Sequence, residues 1–292
     1  MSFAIVTDTS ANLPNRLLRQ RDISILPFSY FMDGKEFVDL EGEDFDAVSF
    51  FNAMRSGTRV TTSQIPPQRY IECFERLLQD GRDVLFVSMS SGISGSYQSS
   101  EIAARELSGK YPDCHIRCVD TLGASLGEGL FALRAADLRD VGKTLDETAD
   151  MLLIERKNMY QIFTVGDLKY LRATGRLSGV ATLLGTMLNI KPVLKGNELG
   201  QIVLAGKIRG RRQVIEELAR RYDQYVAAPE NQTIGVAHCD CREDAEYLLS
   251  LLRKNKPPKE ILLVDYEPVT GSHLGPNSLA LFFLGDETVR AK

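Results

Sequence analysis

The stretch VLFVSMSSGISGSYQSS, residues 84–100, joins two kinds of sequence. Its first half is an apolar run that follows the charge at Asp83, the pattern of a strand buried on both faces. Its second half, SSGISGSYQSS (90–100), holds six serines and two glycines and meets no charge before Glu101. Serine and glycine at this density suit a turn leading into a helix, so the stretch predicts a strand, a tight loop and a helix that opens near residue 95. Strands that feed helices in this way build a mainly parallel sheet covered on both faces.

The same alternation runs outward in both directions. FAIVTD (3–8), ISILPFSYFM (23–32), IRCVDT (116–121) and YQIFTV (160–165) read as strands, with a turn at DGKEF, and helical spacing fits 44–56, 67–80, 95–109, 124–140 and 144–157. The second half differs. LKYLRATGRLSGVATLLGTMLNIKP (168–192) predicts two short helices broken at Gly175 and stopped by Pro192, followed by a hairpin in VLKGNELGQIVLAGKI. A helix over 210–227, a strand over 233–238, a helix over 242–255 and strands over 260–266 and 279–285 complete the reading. The expected fold is α/β with two domains: residues 1–160, with a parallel sheet between helix layers, and residues 161–292, with a mixed sheet.

The chain has 292 residues, 43% apolar and 25% charged, enough for two domains with their own cores. A net charge of −4 gives no global positive field for nucleic acid, and Tyr, Phe and Arg are not interleaved for base stacking. Five cysteines, an odd number, and a strand beginning within MSFAIVTDTS point to a cytoplasmic protein with free thiols. No apolar run approaches the ~20 residues of a membrane-spanning helix.

Several motifs fail on inspection. GISGS (92–96) departs from a nucleophile elbow because Ser96 stands where glycine is required. VGKT (141–144) lacks the preceding strand and first glycine of a phosphate loop, and GEGLFA (127–132) lies in a helical pattern where its glycines serve close packing. HCDC (238–241) and CHIRC (114–118) lack paired zinc spacings, so no metal and no cofactor is expected. What remains is neutral donor chemistry at strand ends: TDTS (7–10), TTSQ (61–64), the serine cluster and TGSHLGPN (270–277). A carboxylate accepts about four hydrogen bonds and donates none, so hydroxyls, amides and one histidine can satisfy it without an arginine. Each segment alone reads first as a helix cap or turn, and their coincidence carries the inference.

Taken in order, TDTSANLP (7–14), TTSQIPP (61–67), SSGISGSYQSS (90–100), LRATGRLSG (171–179), LNIKPVL (188–194), KIRGRR (207–212) and GSHLGPNSLALFF (271–283) resemble the DegV family of bacterial fatty-acid-binding proteins over essentially the whole chain. The resemblance implies a two-domain protein that holds a long-chain fatty acid between its domains and presents the carboxylate to a separate ATP-dependent fatty acid kinase, for acyl-phosphate formation in phospholipid synthesis. It implies that Thr62, Ser94, Gly95 and His273 bind the carboxylate, with Thr61, Ser63, Asp8 and Ser10 in support. Arg176, Lys207 and Arg209 would face the kinase or its phosphate. Transient contact with a membrane surface goes with such a carrier, and the apolar segment GVATLLGTMLNI (179–190) is a candidate wall for the acyl chain. Two departures stand out: Asn277 replaces the last glycine of the family's His-x-Gly-Pro-Gly, and Thr174 replaces a usual glycine before Gly175. Two other readings stay open: a lipid-sensing regulator, and a serine hydrolase using Ser94 with His273 and Asp8.

Overall fold

The computed structural model describes residues 3–38, 45–177, 189–286 and 289–291. In chain order the first part holds β1 (Ala4–Asp8), α1 (Asn15–Gln20), β2 (Ile23–Leu26), β3 (Ser29–Met32), β4 (Lys35–Val38), α2 (Ala47–Arg55), β5 (Val60–Ser63), α3 (Pro67–Gln79), β6 (Val84–Ser88), α4 (Ser96–Lys110), β7 (Ile116–Asp120), α5 (Leu126–Asp140) and α6 (Leu145–Glu155). The second part holds β8 (Met159–Thr164), α7 (Lys169–Ala173), β9 (Ile190–Gly196), β10 (Ile202–Arg209), α8 (Arg211–Tyr225), β11 (Thr233–His238), α9 (Arg242–Asn255), β12 (Glu260–Asp265), α10 (Pro268–Leu274) and β13 (Leu279–Leu284).

These elements gather into two compact units. One takes residues up to Phe45 and Thr61–Arg156; the other takes Asp46–Val60 and the chain from Lys157 onward. In the first, a parallel sheet of order β2-β1-β6-β7 is covered by the helix pairs α3/α4 and α5/α6. β1 and β6 are buried along their whole length, which is why both read as unbroken apolar runs. A small sheet of order β4-β3-β5 adjoins in sequence, its hairpin closed by Asp33 and Gly34 at positive φ. A Thr144–Glu147 capping box starts α6.

The second unit is built on a mixed sheet of order β10-β9-β8-β13-β11-β12, in which only β11 and β12 run parallel. Val214, Leu218 and Tyr222 of α8 and Leu248 and Leu252 of α9 pack with Ile162, Val236 and Phe283 of the sheet in one core. The β9–β10 hairpin is set by Asn197, whose side-chain oxygen accepts from the amides of Leu199 and Gln201.

Two expectations are corrected, the single strand over 23–32 and the helix stop at Pro192, and the hydroxyl-rich segments take elements that the sequence left unassigned. Residues 23–32 form two strands in different sheets, because Pro27 has no amide for a ladder and the Phe28 amide donates to Thr9 Oγ1 at 3.0 Å. TTSQ begins in a strand, β5. Of the two helices expected over 168–192, the first is α7 and ends before Gly175 at φ +69°, while the second falls largely on 178–188, outside the described residues. Pro192 lies inside β9, paired with Lys207, rather than stopping a helix. Finally, Pro268–Leu274 within the hydroxyl-rich segment is helical.

Candidate functional site: neutral donors at the strand ends

In the first unit the carboxyl ends of β1, β6 and β7 lead into loops that hold one another. Ser91 donates amide and hydroxyl hydrogens to the Asp120 carboxylate at 3.2 and 2.5 Å, the Ser90 amide donates to the Gly123 carbonyl at 2.7 Å, and Thr121 Oγ1 donates to the Ser88 carbonyl at 2.8 Å. Most of the serine cluster is therefore structural. Ser96, Ser99 and Ser100 are buried in the first turns of α4, with Ser100 Oγ bonded to the Tyr97 carbonyl.

Ser94 and Gly95 are the exception in position. Gly95 precedes α4 as its N-cap, where free amides and the helix dipole favour an anion. Ser94 Oγ, half-buried, accepts from the Ser96 amide at 3.2 Å and lies 3.0 Å from Ser96 Oγ. Ser96 Oγ also accepts from the Ile65 amide at 3.3 Å. The Gln64 side chain rests on Gly95 so closely that a Cβ there would lie 2.0 Å from Gln64 Oε1. The end of β5 thus lies beside the turn into α4, and Thr62, half-buried on β5 between exposed Thr61 and Ser63, belongs to the same region as Ser94. This brings together the two segments expected to donate. A Ser94 nucleophile would need a base beside it, whereas its hydroxyl is bonded to the amide and hydroxyl of Ser96.

Asp8 and Ser10 are wholly buried and turn to each other. Asp8 Oδ1 accepts from the Ser10 amide at 2.9 Å and is bonded to its hydroxyl, which also lies 2.7 Å from Glu128 Oε2. Burial pushes the Asp8 carboxyl up to about 6 and Glu128 further above its ordinary range, with the Asp8 charge as the second cause for Glu128. The sequence reading missed Glu128, which sits among the glycines of GEGLFA. Its neighbour Gly129 is there for packing, since a Cβ would meet the Ala11 carbonyl oxygen at 2.3 Å.

In the second unit His273 lies half-buried on α10, a short helix capped by Glu267, whose carboxylate accepts from the amides of Val269 and Thr270. Two glycines on one face of α10 and its end fix its neighbours. A Cβ on Gly271 would meet the Phe51 ring of α2 at 2.9 Å, and one on Gly275 would meet the Tyr170 ring of α7 at 2.1 Å. Burial, and then the Arg176 charge, hold the His273 imidazole down to about 4, so it is neutral at neutral pH and offers one N–H and one acceptor. Asn277 takes the left-handed conformation at φ +62°, the one a glycine would adopt at no steric cost, while Thr174 has an ordinary φ of −101°. Arg55 of α2 pairs with Asp240 at 2.5 Å and reaches Asn277 Oδ1 at 3.4 Å.

Of the expected cations, Lys207 and Arg209 are exposed at alternate positions of β10, the sheet edge, and so share one face. Arg176 is half-buried and donates to the Thr174 carbonyl. Among the described residues no group of three or more His, Cys, Asp or Glu is arranged to hold a metal ion, and no helix is long and apolar enough to cross a membrane.

A parallel sheet with hydroxyl-rich loops at one end and a second unit with a mixed sheet define a two-unit α/β protein. The chain belongs to the DegV family, whose sequence profile matches residues 2–286. A DegV domain-containing protein of Clostridium perfringens is 38% identical over 284 residues, 97% of this chain and 98% of the relative. Among solved structures, a fatty-acid-binding DegV family protein from Thermus thermophilus superposes with a TM-score of 0.89 at 28% identity, covering 98% of this chain and 100% of its own. DegV of Bacillus subtilis, described as a fatty acid binding protein, gives 0.85 at 26% identity, with 98% and 100% covered.

Proposed function

We propose that this chain binds a long-chain fatty acid, holds its carboxylate with uncharged donors, and presents that carboxylate to a separate ATP-dependent fatty acid kinase. Thr62, Ser94 and the Gly95 amide donate to the carboxylate in this reading, Thr61 and Ser63 support them, Asp8 and Ser10 hold the adjoining turn, and His273 supplies a further donor. The observation that carries it is the meeting of β5 with the turn into α4, where Gln64 rests on Gly95 and Ile65 is bonded to Ser96. Hydroxyls and helix amides there suit an acid headgroup, and the fatty-acid binding of the Thermus and Bacillus relatives supports that class of ligand.

The energetics agree with a carrier. A chain of about sixteen carbons contributes on the order of 10 kcal/mol at ~0.8 kcal/mol per buried CH2, enough to compete with a bilayer. A carboxylate moved out of water takes up a proton unless several donors oppose this, and those same donors keep a nucleophilic oxygen in place for an incoming phosphoryl group. The chain then supplies position, and its partner supplies Mg–ATP chemistry. Lys207, Arg209 and Arg176 are assigned to the kinase or its phosphate.

Native mass spectrometry of the freshly purified protein tests the ligand: a fatty-acid mass increment is expected, and a bare chain that also fails to take up added fatty acid refutes it. With the kinase, Arg209→Glu should slow acyl-phosphate formation while leaving lipid retention intact. Unchanged acyl-phosphate formation would instead favour a lipid sensor.

A further inference from the structure

Thr7, Asp8, Ser10 and Glu128 bring their oxygens together with no solvent exposure on any of the four residues. Thr7 Oγ1 lies 3.0 Å from the Val87 carbonyl oxygen and 2.9 Å from Glu128 Oε1. Ser10 Oγ lies 2.7 Å from Glu128 Oε2 and also within bonding distance of Asp8 Oδ1. These oxygen pairs need a hydrogen each, yet each hydroxyl brings only one. The Val87 carbonyl can only accept, so the Thr7 hydrogen goes to it. The remaining Thr7 contact must then be filled from the Glu128 side.

We propose that Glu128 is a neutral carboxylic acid in the folded protein, donating to Thr7, and that Asp8, Ser10, Glu128 and Thr7 form one directional hydrogen-bond chain that binds a proton on folding and ends on the Val87 carbonyl. With Asp8 also protonated, every link holds one hydrogen: Asp8 donates to Ser10, Ser10 to Glu128, Glu128 to Thr7 and Thr7 to Val87. When Asp8 ionises, its O–H bond breaks and the proton leaves to solvent. The Ser10 hydrogen turns back to the new carboxylate, Glu128 keeps its own on the Thr7 side, and the Ser10–Glu128 contact is the one left without a hydrogen.

The surroundings favour this state. The groups that act most strongly on Asp8 and Glu128 are each other, Ser10, Thr7 and the Met89 amide at the end of β6. Tyr70 of α3 faces both carboxyls, and Cys118 of β7 faces Tyr70, with the phenol and the thiol both pushed up by burial. None of these is a cation that could hold a second carboxylate charged.

Glu128→Gln separates the alternatives, because its amide hydrogen can donate to Thr7 as the neutral acid does, whereas an ionised Glu128 could only accept. In denaturant unfolding of the full chain, the variant should have a midpoint at pH 8 equal to or above that of the wild type, with a smaller change between pH 5 and pH 8. Infrared spectra of the wild type at pH 7 should contain the carbonyl stretch of a protonated carboxyl, missing from the variant. A wild type without that band overturns the proposal, as does a variant that unfolds earlier at pH 8 or does not fold, since glutamine reproduces the hydrogen bond that the neutral acid donates to Thr7.

Discussion

The two units bury their ionisable groups with opposite sign. The first encloses acids, Asp8 and Glu128, and burial drives both carboxyls up; the second encloses bases, His238, His273 and Lys195, and burial drives all three down. One cause acts in both, the penalty on charge away from water, and it shifts each of these groups toward its uncharged form. The difference teaches that an interior enclosing acids and one enclosing bases respond to pH in opposite directions.

Gly275→Ala should be the most damaging single change. It places a methyl on a left-handed residue at φ +77° and inside the Tyr170 ring, and should destabilise the second unit by about 3 kcal/mol or more while leaving the first as it was. Exchange-protection maps would show whether the loss stays within residues packed around α10.

The opposite burial predicts opposite responses to pH. Asp8, raised from 3.8 to about 6, contributes stability that is complete below about pH 4 and is lost as pH rises through about 6, worth about 3 kcal/mol. His273, lowered from 6.5 to about 4, contributes stability that is complete above about pH 6.5 and is lost as pH falls through about 4, again worth about 3 kcal/mol. Hydrogen exchange between pH 6.5 and 4.5 should therefore show β11 and β13 losing protection relative to β1 and β6. Parallel changes in both units would break the comparison.

The smallest effect belongs to Asn277→Gly. Relief of the left-handed conformation and loss of the Arg55 contact oppose each other, so thermal unfolding should change by less than about 1 kcal/mol. A larger loss would mean that Arg55 and Asn277 carry more of the α10 geometry than their 3.4 Å contact indicates.

The parts of the fold legible in sequence were those with one dominant signal. β1, β6 and β13 are apolar runs because both their faces are covered, and α9 shows its buried Ala245, Leu248, Leu249 and Leu252 at helical spacing. β5 was hidden because VTTS has no apolar alternation, and α10 because PVTGSHL is short and carries Gly271, whose role against Phe51 is tertiary. The pattern of 44–56 showed that α2 buries a face, but not that Phe51 lies against Gly271, 220 positions later, so its place in the second unit was invisible. At the candidate site, the hydroxyl-rich segments could be read directly. Their bonds could not: Ser91 is committed to Asp120, and Asp8 and Ser10 to Glu128, an acid that in sequence looks like an ordinary first-turn glutamate.

The central claim is recognition of an acid headgroup by neutral donors, and the most direct test compares a long-chain fatty acid with its methyl ester in binding to delipidated protein. Wild type should prefer the acid, and Thr62→Ala and Ser94→Ala should each weaken acid binding by about 1.5–3 kcal/mol, roughly 10- to 150-fold, with little effect on the ester. Equal affinity for acid and ester, or a preference for the acid that survives both substitutions together, would contradict it.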